Sequence, residues 1–360
     1  MDLKDLTTKA LLALQYVDEL GYKKKATLLS AVGDPSELFG KKELVRKALG
    51  DDKADEFYKN ADRIDAIVDE LEKRDIHWLS YLDDEYPDSL REIEDRPHVL
   101  FVKGNVKALN SDCIAIVGSR RTTRYGEKVA DEFAREFARA GLTVVSGFAR
   151  GIDSIAHKAC VAIGCPTVAV FACGIDVIYP AEHRGLLDGI LMNGGAVVTE
   201  YPIGTKPLQY HFPERNRIIS GLSRGVFLAQ AAKRSGSLIT MRLAIEQGKD
   251  VFVVPGNIYA AENEGGNELL REIPDALVIS ADDVLDAMHV KRASSESQVV
   301  EINITGSRIL EALRDGEQHF EELLELTELS VSELTNELFD LELNGLIQNT
   351  GGNYYALAGV

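Results

Sequence analysis

The chain has 360 residues, 45% of them hydrophobic and 27% charged, with a formal net charge of −18. This composition excludes a disordered chain, and no apolar run reaches the ~18 residues of a membrane span, so two or three globular domains are expected. The start, MDLKDLTTKA, has no basic segment followed by an apolar stretch, so no signal peptide and a cytoplasmic setting are expected.

From Leu3 to about Lys73 the apolar residues recur at helical steps, as in Leu11, Leu14 and Val17. Gly21, Gly33, Asp34, Pro35 and Gly50 cut this stretch into short helices, and a helical domain over residues 1–75 is expected. Ile76 to Asn105, with Pro87 and Pro97, reads as a connector that packs on the domain after it. From Asp112 short apolar runs alternate with helical stretches. The runs are Ile114–Val117, Leu142–Val145, Thr167–Phe171, Ala196–Val198, Val226–Ala229, Val251–Val254 and Ala276–Ile279. This alternation predicts βαβ units and an α/β domain with a Rossmann-like parallel sheet over residues 76–286. Residues 287–300 are polar and Ser-rich and read as a linker. Residues 301–360 offer helices at Ser307–Arg314, Phe320–Glu325 and Ser332–Leu343, then a turn at Thr350, Gly351 and Gly352 between two short strands. Three helices and a hairpin predict a winged helix.

The acidity is uneven. Residues 301–360 carry 12 Asp/Glu against 2 Lys/Arg, whereas residues 111–286 carry 21 against 18. The central block therefore has room for a basic patch. Cys113, Cys160, Cys165 and Cys173 form no CxxC pair, which fits a reducing compartment and gives no metal site.

Ligands of parallel α/β sheets bind at the carboxyl ends of the strands, so the loops there carry the chemistry. VGSRRTTRYG places Gly118, Ser119, Arg120, Arg121 and Arg124 before a helix that begins near Gly126, a candidate anion site. SGFARGID adds Arg150, and HFPERNRIISGLSRG adds Arg215, Arg217 and Arg224. KRSGSLIT presents Lys233, Arg234, Ser235, Gly236 and Ser237 as a phosphate cradle. Four such loops at one sheet edge suggest a polyanion path. Phe148, Tyr201, Tyr210 and Phe212 either stack on bases or fill the core. GxGxxG, GxxxxGK[ST], GxSxG and HExxH are absent, so no nucleotide cofactor or hydrolytic machinery is expected. Asp153 and His157, one helical turn apart, read as capping and packing more than as a catalytic dyad.

Together these motifs resemble the DNA-processing protein A family (DprA, also called Smf). The matching stretches are VGSRRTTRYG, GLTVVSGFARGIDSIAH, IDVIYPAEH, EYPIGTKPL, HFPERNRIISGLSRG, RSGSLIT, EQGKDVFVVPG and GGNELLRE, in order from Val117 to Glu272. The lead-in from Trp78 to Asn105 also resembles the family. The resemblance implies a non-enzymatic single-stranded DNA-binding protein. Such a protein protects incoming strands and loads the RecA recombinase during natural transformation and recombination. It also implies an extended Rossmann-like fold, a homodimer, an N-terminal helical domain of the SAM or helix-hairpin-helix type, and a C-terminal winged helix. Single-strand-binding protein is a further expected partner. The Arg of the family's VGSR motif corresponds to Arg120. The chain departs from the family at Gln230, where a strand usually ends in an acidic residue, and at REIPDALV after GGNELL. The expected recognition helix carries Glu333, Glu337, Asp340 and Glu342 with no cation, so this winged helix is expected to bind protein or pack on the core rather than read duplex DNA. The main alternative is a LOG-like nucleotide phosphoribohydrolase, with SGSLIT as its loop and Glu246 further along the same helix, although its double-Gly signature is missing.

Overall fold

A computed structural model describes residues 3–290, 304–314, 316–343 and 346–357. The chain divides into two compact units, Met1–Lys291 and Arg292–Val360.

The first unit opens with five helices: α1 (Leu3–Gln15), α2 (Tyr22–Val32), α3 (Lys42–Leu49), α4 (Asp51–Asp62) and α5 (Ile64–Lys73). The connector contains β1 (His77–Ser80), the one-turn α6 (Asp88–Arg91) and β2 (Val99–Gly104). The alternating part then runs β3 (Cys113–Gly118), α7 (Arg124–Arg139), β4 (Thr143–Ser146), α8 (Ile152–Ala162), β5 (Thr167–Val170), α9 (Arg184–Met192), β6 (Ala196–Thr199), α10 (His211–Leu222), β7 (Gly225–Gln230), α11 (Ser237–Glu246) and β8 (Asp250–Val253). Helices α12 (Glu264–Glu272) and α13 (Ala281–Ala287) close the unit.

The sheet order is β1-β2-β6-β5-β4-β3-β7-β8. Strands β3 to β8 run parallel, while β2 lies antiparallel on β6 and β1 antiparallel on β2. The connector is thus no mere spacer but a hairpin-like extension, and the sheet is mixed rather than wholly parallel. Val99–Val102 is fully buried and Pro97 stands just before the strand, where its missing N–H costs no ladder bond. The expected strand at Ala276–Ile279 is instead a 3₁₀ turn, Pro274–Ala276, with a single bridge from Leu277 to Val253. Pro274 presets that turn.

Alternate strand residues face opposite sides, as period two requires. Val102, Ala115, Val145 and Leu228 point to a layer with Leu90, Ile218 and Met241. Ile114, Val144 and Phe227 point to α7, α8 and α13, where Phe133 stacks on Phe227 at 4.4 Å. Phe101 and Val197 pack under the N-terminal helices with Leu11, Leu14 and Phe57, and Tyr16 meets Phe101 edge-on at 5.9 Å. The helical segment therefore shares its core with the sheet. Of the expected linker 287–300, Met288 is buried against α13 and residues 291–300 lie outside the described residues.

The second unit contains α14 (Ile304–Ala312), β9 (Gln318–His319), α15 (Phe320–Thr327), α16 (Val331–Leu343), β10 (Ile347–Gly351) and β11 (Tyr354–Leu357). The three strands pair in the order β10-β11-β9, so the expected hairpin gains a third strand, too short at two residues to show a periodic pattern. Ile309, Leu323, Leu334, Leu338 and Ile347 form the core of this unit.

Candidate nucleic-acid interface

In the strand order, β3 proceeds outward to β4 on one side, and the chain later returns to place β7 on the other. The loops after β3 and β7 therefore flank the topological switch point, where α/β sheets open a crevice. A cleft of about 830 Å³ lies there. It is lined by Gly118, Ser119, Arg120 and Arg121 after β3, and by Arg234, Ser235, Gly236 and Ser237 after β7. Arg215 and Phe212 come from α10, Ala149 from the loop after β4, Asp153 from the first turn of α8, and Tyr179 from the loop after β5.

The crossing of the first two loops depends on glycine. Gly151 sits at φ +78, and a Cβ there would stand 2.3 Å from the Ser119 carbonyl oxygen. Ile152 N–H donates to that oxygen at 3.2 Å, and Ser119 N–H donates to the Gln230 carbonyl at 2.8 Å, tying three strand ends together. Phe148, buried in the same turn, holds φ +58, a left-handed conformation uncommon for a bulky residue.

The structure separates the basic residues by role. Arg120, Arg121 and Arg234 are exposed on the cleft and enter no ion pair among the described residues. The Arg120 guanidinium lies over the Phe212 ring at 4.8 Å, and Tyr179 meets Phe212 edge-on at 5.8 Å. Arg215 is buried on the cleft floor. Its Nη1 donates to the Gly147 carbonyl at 2.6 Å and to the Val170 carbonyl, which fixes the ends of β4 and β5. Burial pushes Arg215 down to about 10, partly offset by Asp153, while burial raises Asp153 against the pull of Arg215.

Five expected cations, Arg124, Arg150, Arg217, Arg224 and Lys233, do not line the cleft. Arg124 is exposed in the first turn of α7, and Arg224 pairs with Asp112 at 2.7 Å. Arg217 is two positions after Arg215, about 200° around the helix at 3.6 residues per turn, so it points elsewhere. It is only 2% exposed, its Nη2 donates to Glu200 Oε2 at 2.6 Å, and it lies over the Tyr22 ring at 5.0 Å. Its Nε and Nη1 have no hydrogen-bond partner among the described residues. Arg217 thus anchors α10 to the N-terminal helices. Lys233 is paired with Glu268 at 2.6 Å and Glu264 at 3.4 Å. Arg150 pairs with Glu182 at 2.5 Å on the surface.

The expected anion site at the start of α7 is also filled internally. The Thr123 side chain accepts from Gly126 N–H, and Thr123 N–H donates to Gln230 Oε1 at 3.0 Å. Gln230 Nε2 donates to Thr123 Oγ1 and to Asn263 Oδ1, each at 2.8 Å. An amide accepts and donates here at once, which a carboxylate could not. Ser119 Oγ likewise donates to the Arg121 carbonyl at 2.6 Å and accepts from Arg121 N–H, shaping the loop from within. Ser235 and Ser237 share a hydroxyl contact at 2.8 Å.

Asp153 and His157 form no dyad. Asp153 accepts from Ala149 N–H at 3.3 Å, and His157 Nδ1 bonds Thr167 Oγ1 at 2.7 Å in the core. Among the aromatic candidates, Phe148 is core and Tyr201 stacks on His211 at 4.1 Å, while Phe212 reaches the cleft. Tyr179, 42% exposed beside Phe212, is an aromatic that the sequence candidates do not include. Its one signal is its place in a strand-end loop, IDVIYPAEH.

A mixed Rossmann-like sheet with a basic, Gly- and Ser-lined cleft at its switch point, together with a winged helix, defines the class of protein. The model of the family described as "DNA recombination-mediator protein A" matches residues 77–289, and that of the "DprA winged helix domain" matches residues 305–353. The chain is 36% identical to Protein Smf of Escherichia coli over 296 residues, covering 80% of this chain and 79% of the relative. It is 46% identical to DNA processing protein DprA of Streptococcus pneumoniae over 207 residues, covering 58% of this chain and 72% of the relative. The X-ray structure of DprA from S. pneumoniae superposes with a TM-score of 0.66 at 36% identity, over 77% of this chain and 97% of that one. A DprA structure from Helicobacter pylori, described for its single-stranded DNA binding mode, gives 0.53 at 29% identity, over 59% and 95%. The chain belongs to the DNA recombination-mediator protein A (DprA/Smf) family. Among the described residues, no helix is long and apolar enough to cross a membrane.

Proposed function

We propose that this chain binds single-stranded DNA in the cleft at the switch point and presents it to the RecA recombinase. One observation carries the reading. Three exposed guanidinium groups, Arg120, Arg121 and Arg234, converge on a cleft that also holds the accessible rings of Phe212 and Tyr179. Guanidinium forks suit phosphates, and aromatic faces accept any base, which is the pairing of features that sequence-tolerant single-strand binders use. Arg120 already rests on Phe212, so a base inserted between them would meet a ring on one side and a cation on the other. The H. pylori relative's single-stranded DNA binding mode supports the assignment. The homodimer, the shielding of incoming strands, the contact with single-strand-binding protein and the recombinase hand-over rest on the family resemblance.

The function is one of binding rather than catalysis. The carboxylate on which the phosphoribohydrolase alternative depends, Glu246, ends α11, whereas the cleft is formed by that helix's first turn at Ser237. Nine residues at 1.5 Å of rise put the two about 13 Å apart.

The test is fluorescence anisotropy of labelled single-stranded and duplex oligonucleotides over a salt series. Single-strand preference that weakens with salt supports the reading. Equal affinity for duplex, or release of nucleobase from a nucleoside monophosphate, overturns it.

A further inference from the structure

We propose that the outward face of α16 is a docking surface for a positively charged, amphipathic segment of a partner protein, seated on Phe339. Helix α16 has two apolar stripes. Leu334, Leu338 and Leu341 are buried in the core of the second unit. Val331 and Phe339, on a second face with Thr335, are 61% and 62% exposed. Steps of four residues drift by only about 40° each, so these three positions share one stripe of the helix. Leu326, 62% exposed, stands just across the turn at residues 328–330 from Val331. Exposed apolar residues scattered singly need no explanation, but a stripe of apolar residues that ends in an exposed aromatic has the composition of an interface core.

The charge around the stripe selects the occupant. Helix α16 carries Glu333, Glu337, Asp340 and Glu342 and no Lys or Arg. Helix α15 adds Glu321, Glu322 and Glu325, again without a cation. The adjoining strand β10 presents Gln348, Asn349 and Thr350, so it supplies no cation either. Duplex DNA approaching this face would meet carboxylates where phosphate contacts need Lys or Arg. A basic helix with an apolar side meets complementary charge at the rim and an apolar anchor at the centre, which speeds encounter and fixes register. A second copy of this chain would bring the same carboxylates to the contact and repel.

The probe is a labelled synthetic peptide of about 18 residues, with Leu at helical spacing and Lys and Arg elsewhere, long enough to form an amphipathic helix on contact. It is titrated with the full chain by anisotropy, beside a scrambled peptide of equal charge. The variants are Phe339→Ser and the pair Asn336→Lys/Asp340→Lys, all at exposed positions, with circular dichroism as the check on folding. Preference for the amphipathic peptide, weakened about tenfold or more by each variant, is the expected result; tenfold corresponds to about 1.4 kcal/mol. Unchanged peptide affinity in both variants overturns the proposal. So does loss of self-association, or of duplex binding, in Phe339→Ser, since either would assign the face to another occupant. If Phe339→Ser fails to fold, the charge variant alone decides.

Discussion

Arg217 and Arg120 carry the same side chain in two of the strand-end motifs, but one is buried and paired while the other is exposed on the cleft. The sharpest prediction sets them against each other. Arg217 is 2% exposed and hydrogen-bonded at 2.6 Å to Glu200, with Asp95 at 3.8 Å and the Tyr22 ring at 5.0 Å. Arg217→Ala leaves the nearly buried Glu200 carboxylate without its partner and opens space beneath α2. Removing one member of a buried pair costs roughly 3–5 kcal/mol. Lys25, buried nearby and also drawn to Glu200, holds the loss toward the lower value. About 3 kcal/mol corresponds to a fall in Tm of about 5 °C for a unit of this size. Arg120→Ala removes an exposed side chain whose contact with Phe212 is worth ~0.5–1 kcal/mol, so Tm should move by less than ~3 °C. The assay is thermal unfolding by circular dichroism, paired with anisotropy on a single-stranded oligonucleotide at the same salt. Arg217→Ala is expected to lose stability, and Arg217→Met, which fills the space, to keep DNA affinity when folded. Arg120→Ala is expected to keep stability and lose affinity. A stable Arg217→Ala, or a folded Arg217→Met that no longer binds, would refute the division of roles.

The same geometry gives four further outcomes. Three exposed guanidinium groups on the cleft give a slope of log K against log salt of about −2 on a single strand, and each of Arg120→Ala and Arg234→Ala should reduce it by ~0.7; a flat titration contradicts this. Lys233→Ala should leave affinity within about twofold, because Glu264 and Glu268 already hold that cation, whereas replacing both glutamates by Gln should strengthen binding. Gly151→Ala should cost more than ~1 kcal/mol in urea unfolding and also weaken binding, because its φ of +78 and the Ser119 carbonyl exclude a Cβ. Burial pushes His157 down to about 3 and His98 down to about 4. Both are neutral in the fold but protonate near pH 6.5 when unfolded, so stability should be complete above that pH and fall as pH drops toward 4. His157→Asn, which can still reach Thr167, should flatten that profile, and an unchanged slope would show that His157 is not a source.

Much of the fold was legible because the buried strands of a doubly wound sheet read as short Val- and Ile-rich runs. Ile114–Val117 and Val226–Ala229 fall within strands β3 and β7 for this reason. The edge strand β1 and its neighbour β2 escaped because Pro87, Pro97 and a polar stretch separate them, so their pairing is a long-range event with no local signature. The cleft loops were visible as Gly, Ser and Arg clusters. What the sequence hides is which cations are already spoken for. Lys233 meets its glutamates 31 and 35 residues later, Arg217 meets Glu200 across 17, and Gln230 reaches back 107 residues to cap α7. Arg215 and Arg217 also show that two basic residues at a spacing of two on a helix cannot serve one surface.

In the proposed complex, single-stranded DNA lies across Phe212 and Tyr179 between the guanidinium groups of Arg120, Arg121 and Arg234. Photocrosslinking tests it most directly, using a single-stranded oligonucleotide that carries 5-bromodeoxyuridine, with mass spectrometry of the joined peptides. Adducts are expected on the peptides that contain Tyr179 or Phe212, suppressed by Arg120→Ala and by rising salt. Adducts confined to the N-terminal helices or to residues 304–357, with the cleft unmarked, would contradict it.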